Sequence, residues 1–332
     1  MDCYTLELVH ECHERDGVDP MLHSVPCAYI LTMHETETFP WLHGVARRTY
    51  VQRNRGFRAC FKTQGSTHSA HSAHSAQGAH GPRVDATNQD LIHAYRTVFA
   101  SALLQSASAP VLVFEDDARL TRTARQDLVH VDRFVATRAF SLYTLGSIGL
   151  MVPYYGDRGG RGGRGGRGDR DAFRHWRFVG SAFGFAQSVI YAPSAARAVL
   201  DAAPGPLGHI DATVLSTMPL RLTYHRPIAY QVIDFNSKSE NSATWCVRCD
   251  GGVLDSVVRK LAWLYFGAVG LDTEAGWGVM YTLNKLAVPV GLLCACVVVV
   301  GVVVAVRGNA TRFHEAGGPV LRPRAKKIIP SL

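Results

Sequence analysis

Short apolar runs and helix-spaced apolar positions alternate along the chain and predict an α/β fold. Strands covered on both faces are apolar throughout, and short runs of this kind predict buried strands. The runs span residues 27–33, 111–114, 140–145 and 220–224. Residues 90–106 and 194–202 instead carry apolar positions at helical spacing. Strands that alternate with helices indicate a mostly parallel sheet, with binding residues at the carboxyl ends of its strands.

A longer apolar segment, residues 286–306, predicts a transmembrane helix. Its 21 residues carry no charge and lie between Lys285 and Arg307. At about 1.5 Å per residue the segment spans roughly 31 Å, the thickness of a bilayer's hydrocarbon core. The alternative is a buried core helix, but core helices of this length usually keep a polar face. We therefore expect a single-pass membrane protein anchored near its C-terminus.

The segments on either side of this helix leave the orientation open. Residues 307–332 form a basic tail with six basic residues and one acid. Counting positive charges places this tail in the cytoplasm and the large domain across the membrane. Residues 1–25 contain no signal-peptide pattern, which favours a cytosolic domain, the placement we prefer. Residues 251–285 are expected to be an amphipathic juxtamembrane segment. Within it, residues 253–270 are either an amphipathic helix in the membrane interface or a helix that packs on the domain.

The main domain is predicted to span residues 26–250, after an N-terminal extension over residues 1–25. Two low-complexity tracts, residues 67–80 (His-Ser-Ala repeats) and 157–171 (Arg-Gly-Gly repeats), are expected to be solvated insertions. The Arg-Gly-Gly tract lacks the interleaved aromatic residues that stack on bases. Much of the net charge of +8 lies in the basic tail. We therefore expect no nucleic-acid partner.

The strongest chemical signal is a strand that ends in three acids, Val-Leu-Val-Phe followed by Glu115, Asp116 and Asp117. Adjacent carboxylates repel one another, and a divalent cation makes their proximity favourable. In an extended chain Glu115 and Asp117 point the same way, so these two are the predicted metal ligands. The alternative is that the acids cap a helix over residues 118–129.

This strand and its Glu-Asp-Asp ending resemble the metal-binding motif of glycosyltransferase family 25, which includes lipopolysaccharide and collagen galactosyltransferases. One departure is the sequence Met-His-Glu-Thr-Glu at residues 33–37, where the family usually has arginines. Further stretches resemble the family in the same order along the chain. They are Asp90-Leu-Ile-His93-Ala, Leu142-Tyr-Thr-Leu145-Gly146, Gly180-Ser181-Ala-Phe-Gly-Phe, His209-Ile-Asp211, and Arg226-Pro227 to Tyr230-Gln231.

The resemblance implies a GT-A-like nucleotide-sugar-binding domain that uses Mn²⁺, or Mg²⁺, and a UDP-sugar. The expected reaction transfers a hexose, such as galactose, to a hydroxyl of a glycan or glycoprotein acceptor. Asp116 is assigned to substrate or cofactor binding beside the metal ligands. An inverting reaction also needs a carboxylate base, and Asp211 is the candidate. Asp211 could equally cap the turn that follows it.

Four further residues are candidates for substrate or cofactor binding. His93 is either a site residue or an ordinary helix histidine. Gln231 either contacts the sugar or closes a sheet edge. Gly180 and Ser181 are expected to line the acceptor cleft. Two rival functions stay open, a catalytically inactive membrane-anchored binding protein of the same fold and an RNA-associated protein that acts through residues 157–171.

Overall fold

The computed structural model describes most of the predicted domain and the long C-terminal helix. The side chains of residues 86–90, 181–184 and 303–315 are not described. Both low-complexity insertions, most of residues 251–285 before the helix, and the end of the basic tail lie outside the description. The described residues are 4–12, 19–32, 34–54, 86–155, 174–184, 187–202, 215–232, 267–271 and 273–315.

A nine-stranded sheet with the order β1-β3-β2-β4-β9-β6-β10-β8-β7 forms the domain. Its strands are β1 (Tyr4–Glu11), β2 (Cys27–Thr32), β3 (Arg48–Asn54), β4 (Val111–Glu115), β6 (Leu142–Thr144), β7 (Ile148–Pro153), β8 (His175–Gly184), β9 (Ser188–Tyr191) and β10 (Arg221–Tyr224). A separate two-stranded antiparallel sheet pairs β5 (Ala118–Leu120) with β11 (Ala229–Gln231).

The large sheet is mixed, with most of its strands pointing one way. Strand β2 pairs in parallel with β3 and β4, and β6 pairs in parallel with β10. Strand β9 runs antiparallel between β4 and β6, so β4 and β6 share a direction. The expected α/β class with a largely parallel sheet is therefore confirmed, and β1, β8 and β9 are the strands that run opposite.

Helices cover both faces of the sheet because the strand side chains are apolar on both. On one face, Val111 and Val113 of β4 pack in a cluster with residues of α1 (Ala86–Gln105) and α3 (Pro193–Asp201). On the other, Leu112 and Phe114 pack with α2 (Ala124–Thr137) and the segment that connects β2 to β3. Single 3₁₀ turns occur at Pro40–Leu42 and Leu215–Thr217.

The last helix, α4 (Glu274–Glu315), begins inside the domain. Trp277, Met280 and Tyr281 are buried in the core cluster that also contains residues of α1 and α3. The chain divides into two compact units, Met1–Lys285 and Leu286–Leu332. Residues Glu274–Val302 are long and apolar enough to cross a membrane. The described residues before the apolar stretch thus include three turns of a helix that packs on the domain. Most of residues 253–270, on which the choice between an amphipathic and a packing helix falls, lies outside the described residues.

Two expectations about the chain's organisation need correction. Residues Tyr4–Glu11, placed in an N-terminal extension, form the edge strand of the main sheet, antiparallel to β3. The helix expected over residues 118–129 begins only at Ala124, because β5 occupies Ala118–Leu120. The acids at 115–117 therefore do not cap that helix.

Candidate functional site

The three acids lie where β4 ends and the chain turns toward β5. Strand β4 ends at Glu115, residues 116 and 117 form a turn, and β5 begins at Ala118. The prediction that Glu115 and Asp117 point the same way is therefore wrong. Side chains alternate between the two faces of an extended strand, and this alternation does not continue through a turn. Each acid instead makes contact with a different element.

Glu115 is joined to helix α1. Its Oε1 accepts a hydrogen bond from the hydroxyl of Tyr95 at 3.2 Å. Its backbone N–H donates to the carbonyl of Gln187, just before β9, at 2.8 Å. Tyr95 is fully buried. From the sequence, its place in the helical spacing of residues 90–106 predicts only a core position. Its contact with the site was therefore missed.

Asp116 joins the carboxyl ends of β4 and β2. Its Oδ2 accepts a hydrogen bond from the Thr32 hydroxyl at 2.8 Å, and the same hydroxyl accepts from the backbone N–H of His34 at 2.9 Å. The His34 Nε2 lies 3.9 Å from Asp116 Oδ2 and 3.7 Å from Glu37 Oε2. The segment after β2 is therefore connected to the acids by its own polar side chains.

Asp117 is held by β11. Its Oδ2 accepts a hydrogen bond from Gln231 Nε2 at 2.5 Å, and its backbone carbonyl accepts from the N–H of Val232 at 2.9 Å. Burial raises the pKa of Asp117 to about 6, the neighbouring Asp116 adds to the rise, and the Gln231 hydrogen bond offsets part of it. The carboxyl group is thus held where its charge is costly without a cation.

Buried oxygen atoms without hydrogen-bond partners occur at this end of the sheet. Among the described residues they include Asp117 Oδ1, Gln187 Oε1 and Gln231 Oε1. Gln187 Nε2 donates to the carbonyl of Gly146 at 3.0 Å. A Cβ at Gly146 would lie 2.1 Å from the Ala229 carbonyl oxygen and 2.8 Å from Gln187 Nε2, so Gln187 and β11 both border Gly146. Carboxylate and amide oxygens are the ligands that hard divalent cations prefer.

The sheet topology places a switch point beside these acids. After β2 the chain passes to β3 on one side, and after β4 it passes through β5 and α2 to β6 on the other side. In open α/β sheets, ligands bind outside the carboxyl ends of the strands at such a point. Thr32 ends β2 and Asp116 follows β4, so both lie at this switch point.

Arginines surround the segment that carries His34 and Glu37. Arg119 of β5 lies 3.8 Å from Glu37 through Nη2, and its guanidinium lies 5.7 Å from the centre of the Trp41 ring. Arg53 of β3 donates to the carbonyl of His34 at 2.9 Å. Basic residues from β3 and β5 therefore contact the segment that follows β2.

The described residues do not form a complete metal site from acidic, histidine and cysteine side chains alone. Within the ranges that the structure covers, no group of three or more such side chains could hold a metal ion. The orphaned carboxylate and amide oxygens are of the chemical type that Mn²⁺ and Mg²⁺ bind. The remaining ligands would have to come from substrate phosphate or water, as is common for Mg²⁺.

No family model, curated protein or solved structure matches this chain.

The other predicted site residues have different outcomes. Gln231 contacts Asp117 directly and therefore belongs to the candidate site around the three acids. His93 is half-buried on α1, and its carbonyl accepts from Thr97; the helix residue that contacts the acids is Tyr95. Asp211 lies outside the described residues, and its role as a base stays a prediction.

Gly180 and Ser181 lie on β8, four strands along the sheet from β4. Gly180 adopts a left-handed backbone conformation with φ of 69°, and its carbonyl accepts a hydrogen bond from Arg221 of β10. The contacts that the structure gives Gly180 therefore connect it to β10 and not to the carboxylates. Their assignment to the acceptor cleft stays a prediction.

Proposed function

We propose that the domain is a metal-dependent glycosyltransferase of GT-A-like fold that transfers a hexose from a UDP-sugar to a hydroxyl of a glycan or glycoprotein. The observation that carries the proposal is the position of Asp117. Its carboxyl group is buried, has a raised pKa and an unpaired oxygen, and follows the interior strand β4 at the switch point. A buried carboxylate at such a position is typical of a site that is completed by a cation.

Asp117 and Glu115 are the proposed carboxylate ligands, and the amide oxygens of Gln187 and Gln231 lie in the same region. Bound there, Mn²⁺ or Mg²⁺ would supply Lewis-acid stabilisation of the departing diphosphate. Tyr95 and Gln231 orient the two carboxylates through their hydrogen bonds. Thr32 orients Asp116 toward the end of β2.

Arg119 is the side chain placed to meet the phosphates. Its backbone is fixed in β5 opposite Tyr230 of β11, and two of its hydrogen bonds are to carbonyls of Asp116 and Ala118. The guanidinium is partly exposed beside the acids and is suited to bind a phosphate oxygen. We assign the acceptor's deprotonation to Asp211, which the resemblance places in the same domain.

The membrane anchor is the second part of the proposal. Residues Glu274–Val302 of α4 have the length and composition to cross a bilayer. Residues 286–306 are the proposed transmembrane segment. The acceptor would then be presented at a membrane, as a glycolipid or membrane glycoprotein is.

The alternative is a membrane-anchored binding protein that keeps the fold without turnover. It is favoured by the lack of a three-ligand metal cluster among the described side chains and by His34 and Glu37 in place of arginines after β2. Such a protein would bind a nucleotide sugar and not release the diphosphate.

A donor screen with the full chain in detergent separates the two functions. Each UDP-sugar is incubated with the protein and Mn²⁺, and free UDP is measured with and without EDTA. The transferase predicts UDP release that depends on Mn²⁺ and increases with an acceptor. UDP-sugar binding without release for any donor would support the binding protein and contradict the transferase.

A further inference from the structure

The beginning of helix α4 is part of the domain that carries the candidate site. Trp277 is fully buried and Tyr281 almost fully. The hydroxyl groups of Tyr281 and Thr223, on β10, lie 3.1 Å apart. Lys285 donates to the carbonyl of His225, and Glu274 accepts from the backbone N–H of Arg122 at 3.2 Å. The first three turns of the helix are therefore fixed in the domain by specific polar contacts.

Trp277 reaches the strand that bears Gln231. Its indole N–H donates to two carbonyls, that of Leu271 at 2.6 Å and that of Gln231 at 3.1 Å. Buried tryptophan N–H groups need an acceptor, and here the acceptors come from the segment before the helix and from the end of β11. The ring thus holds the end of β11 against the start of α4.

Gln231 continues the connection to the acids. Its side-chain amide donates to Asp117 Oδ2 at 2.5 Å, and the N–H of Val232 donates to the Asp117 carbonyl at 2.9 Å. Strand β11 otherwise pairs with β5 over three residues only, from Ala229 to Gln231. Such a short pairing is weak, so the position of its last residue depends on outside contacts.

We propose that Trp277 is a positioning residue for the acids at residues 115–117. Trp277 holds the end of β11 so that the Gln231 amide keeps Asp117 oriented for a cation. The inference rests on the proposed function, since it assumes that Asp117 binds a metal–diphosphate complex. It adds that the helix carrying the membrane segment also builds the site. Removing the first turns of α4 would then disable the site even if the remaining domain stayed folded.

The test compares two changes on the same helix. Trp277→Phe replaces the indole by a smaller ring and so removes the N–H that reaches β11, and Tyr281→Phe removes an equally buried hydroxyl that reaches β10. Full-length proteins in detergent are titrated with Mn²⁺ in the presence of UDP, and free Mn²⁺ is followed by electron paramagnetic resonance. Thermal unfolding of each variant is recorded in parallel.

Trp277→Phe is expected to weaken Mn²⁺ affinity about two- to tenfold, the range for losing one hydrogen bond, while Tyr281→Phe leaves it unchanged. In a Gln231→Leu background the Trp277 change should have no further effect, because the effect passes through Gln231.

Equal Mn²⁺ affinity in wild type and Trp277→Phe would overturn the inference, as would an equal loss in Tyr281→Phe. Where Trp277→Phe does not fold, benzothienylalanine at position 277 removes the N–H and keeps the shape of the ring. Failure of the wild type itself to bind Mn²⁺ with UDP would instead remove the proposed function, and this inference with it.

Discussion

At the scale of one residue, Asp117 combines burial with a carboxyl group that has only one hydrogen-bonded oxygen. An isolated buried carboxylate is costly, and the structure lowers that cost with one amide hydrogen bond while leaving the other oxygen unpaired. The pKa of about 6 means that protonation is easier in the folded chain than in the unfolded chain, where the value is 3.8. Stability from this group is therefore fully present below pH 3.8 and is lost as pH rises through 6.

Asp117→Asn should consequently stabilise the metal-free protein near neutral pH. The variant's unfolding free energy relative to wild type should rise by up to about 3 kcal/mol between pH 4 and pH 7, because only the wild type becomes charged. Thermal unfolding in EDTA at several pH values measures this difference. A difference that does not change with pH would show that Asp117 keeps an ordinary pKa.

The partners of the acids could not be read from the sequence at this scale. The acids themselves stand out because they follow four apolar residues. Tyr95, Gln187 and Trp277 do not stand out, since each comes from a distant part of the chain; Tyr95 and Trp277 are core residues of their helices, and Gln187 lies just before β9. Only the folded arrangement brings Tyr95 and Gln187 to the end of β4 and Trp277 to the end of β11.

At the scale of elements, the sequence predicts what is apolar throughout and misses what is short or only partly buried. Strands β2, β4 and β10 are buried at nearly every position and were predicted. Strand β1 has half-buried and exposed positions and no fully buried one at the sheet edge, and β5 has only three residues. Short strands like β5 carry too few residues for a period of two to be visible.

Two glycines of α4 give a matched test of how closely its first turn packs. A Cβ at Gly276 would lie 1.9 Å from the Gly270 carbonyl oxygen, whereas a Cβ at Gly278 meets nothing within 4 Å. Gly276→Ala should therefore destabilise by about 1–3 kcal/mol, as overpacking does. Gly278→Ala should be neutral or stabilise by up to about 1 kcal/mol through helix propensity.

Thermal unfolding of the full-length variants measures both changes. If Gly276→Ala unfolded at the wild-type temperature, the start of the helix would not be packed against the segment around Gly270. That result would also weaken the case for Trp277, whose indole N–H donates to Leu271 in the same segment.

At the scale of the whole molecule, the main feature is the set of exposed valines and leucines on α4. Leu293, Val298 and Val299 are each more than 60% exposed in the unit formed by residues Leu286–Leu332. A contiguous apolar surface of this length is unfavourable in water and is suited to a lipid environment. The sequence located this segment because its run of apolar residues is long and uninterrupted.

Two arginines in this segment should release the protein from membranes. Each arginine at the centre of a span costs about 2.5–3.5 kcal/mol on insertion, so the double change Val298→Arg and Val299→Arg should prevent stable spanning. Carbonate extraction of membranes from cells that express each variant measures whether the protein is stably inserted. Wild type and the control Val298→Leu should stay in the pellet; a double variant equally resistant to extraction would contradict the span.

The central claim is that the acids after β4 bind a cation together with a diphosphate. The most direct measurement is Mn²⁺ binding by the full-length protein in the presence of UDP, with Asp117→Asn beside Asp132→Asn. Asp132 accepts hydrogen bonds from Ser24, before β2 begins, so its change alters the net charge equally without touching the site. We predict that wild type and Asp132→Asn bind Mn²⁺ equally and that Asp117→Asn binds it more than about tenfold more weakly. Equal binding by all three proteins, or none by the wild type, would contradict the claim.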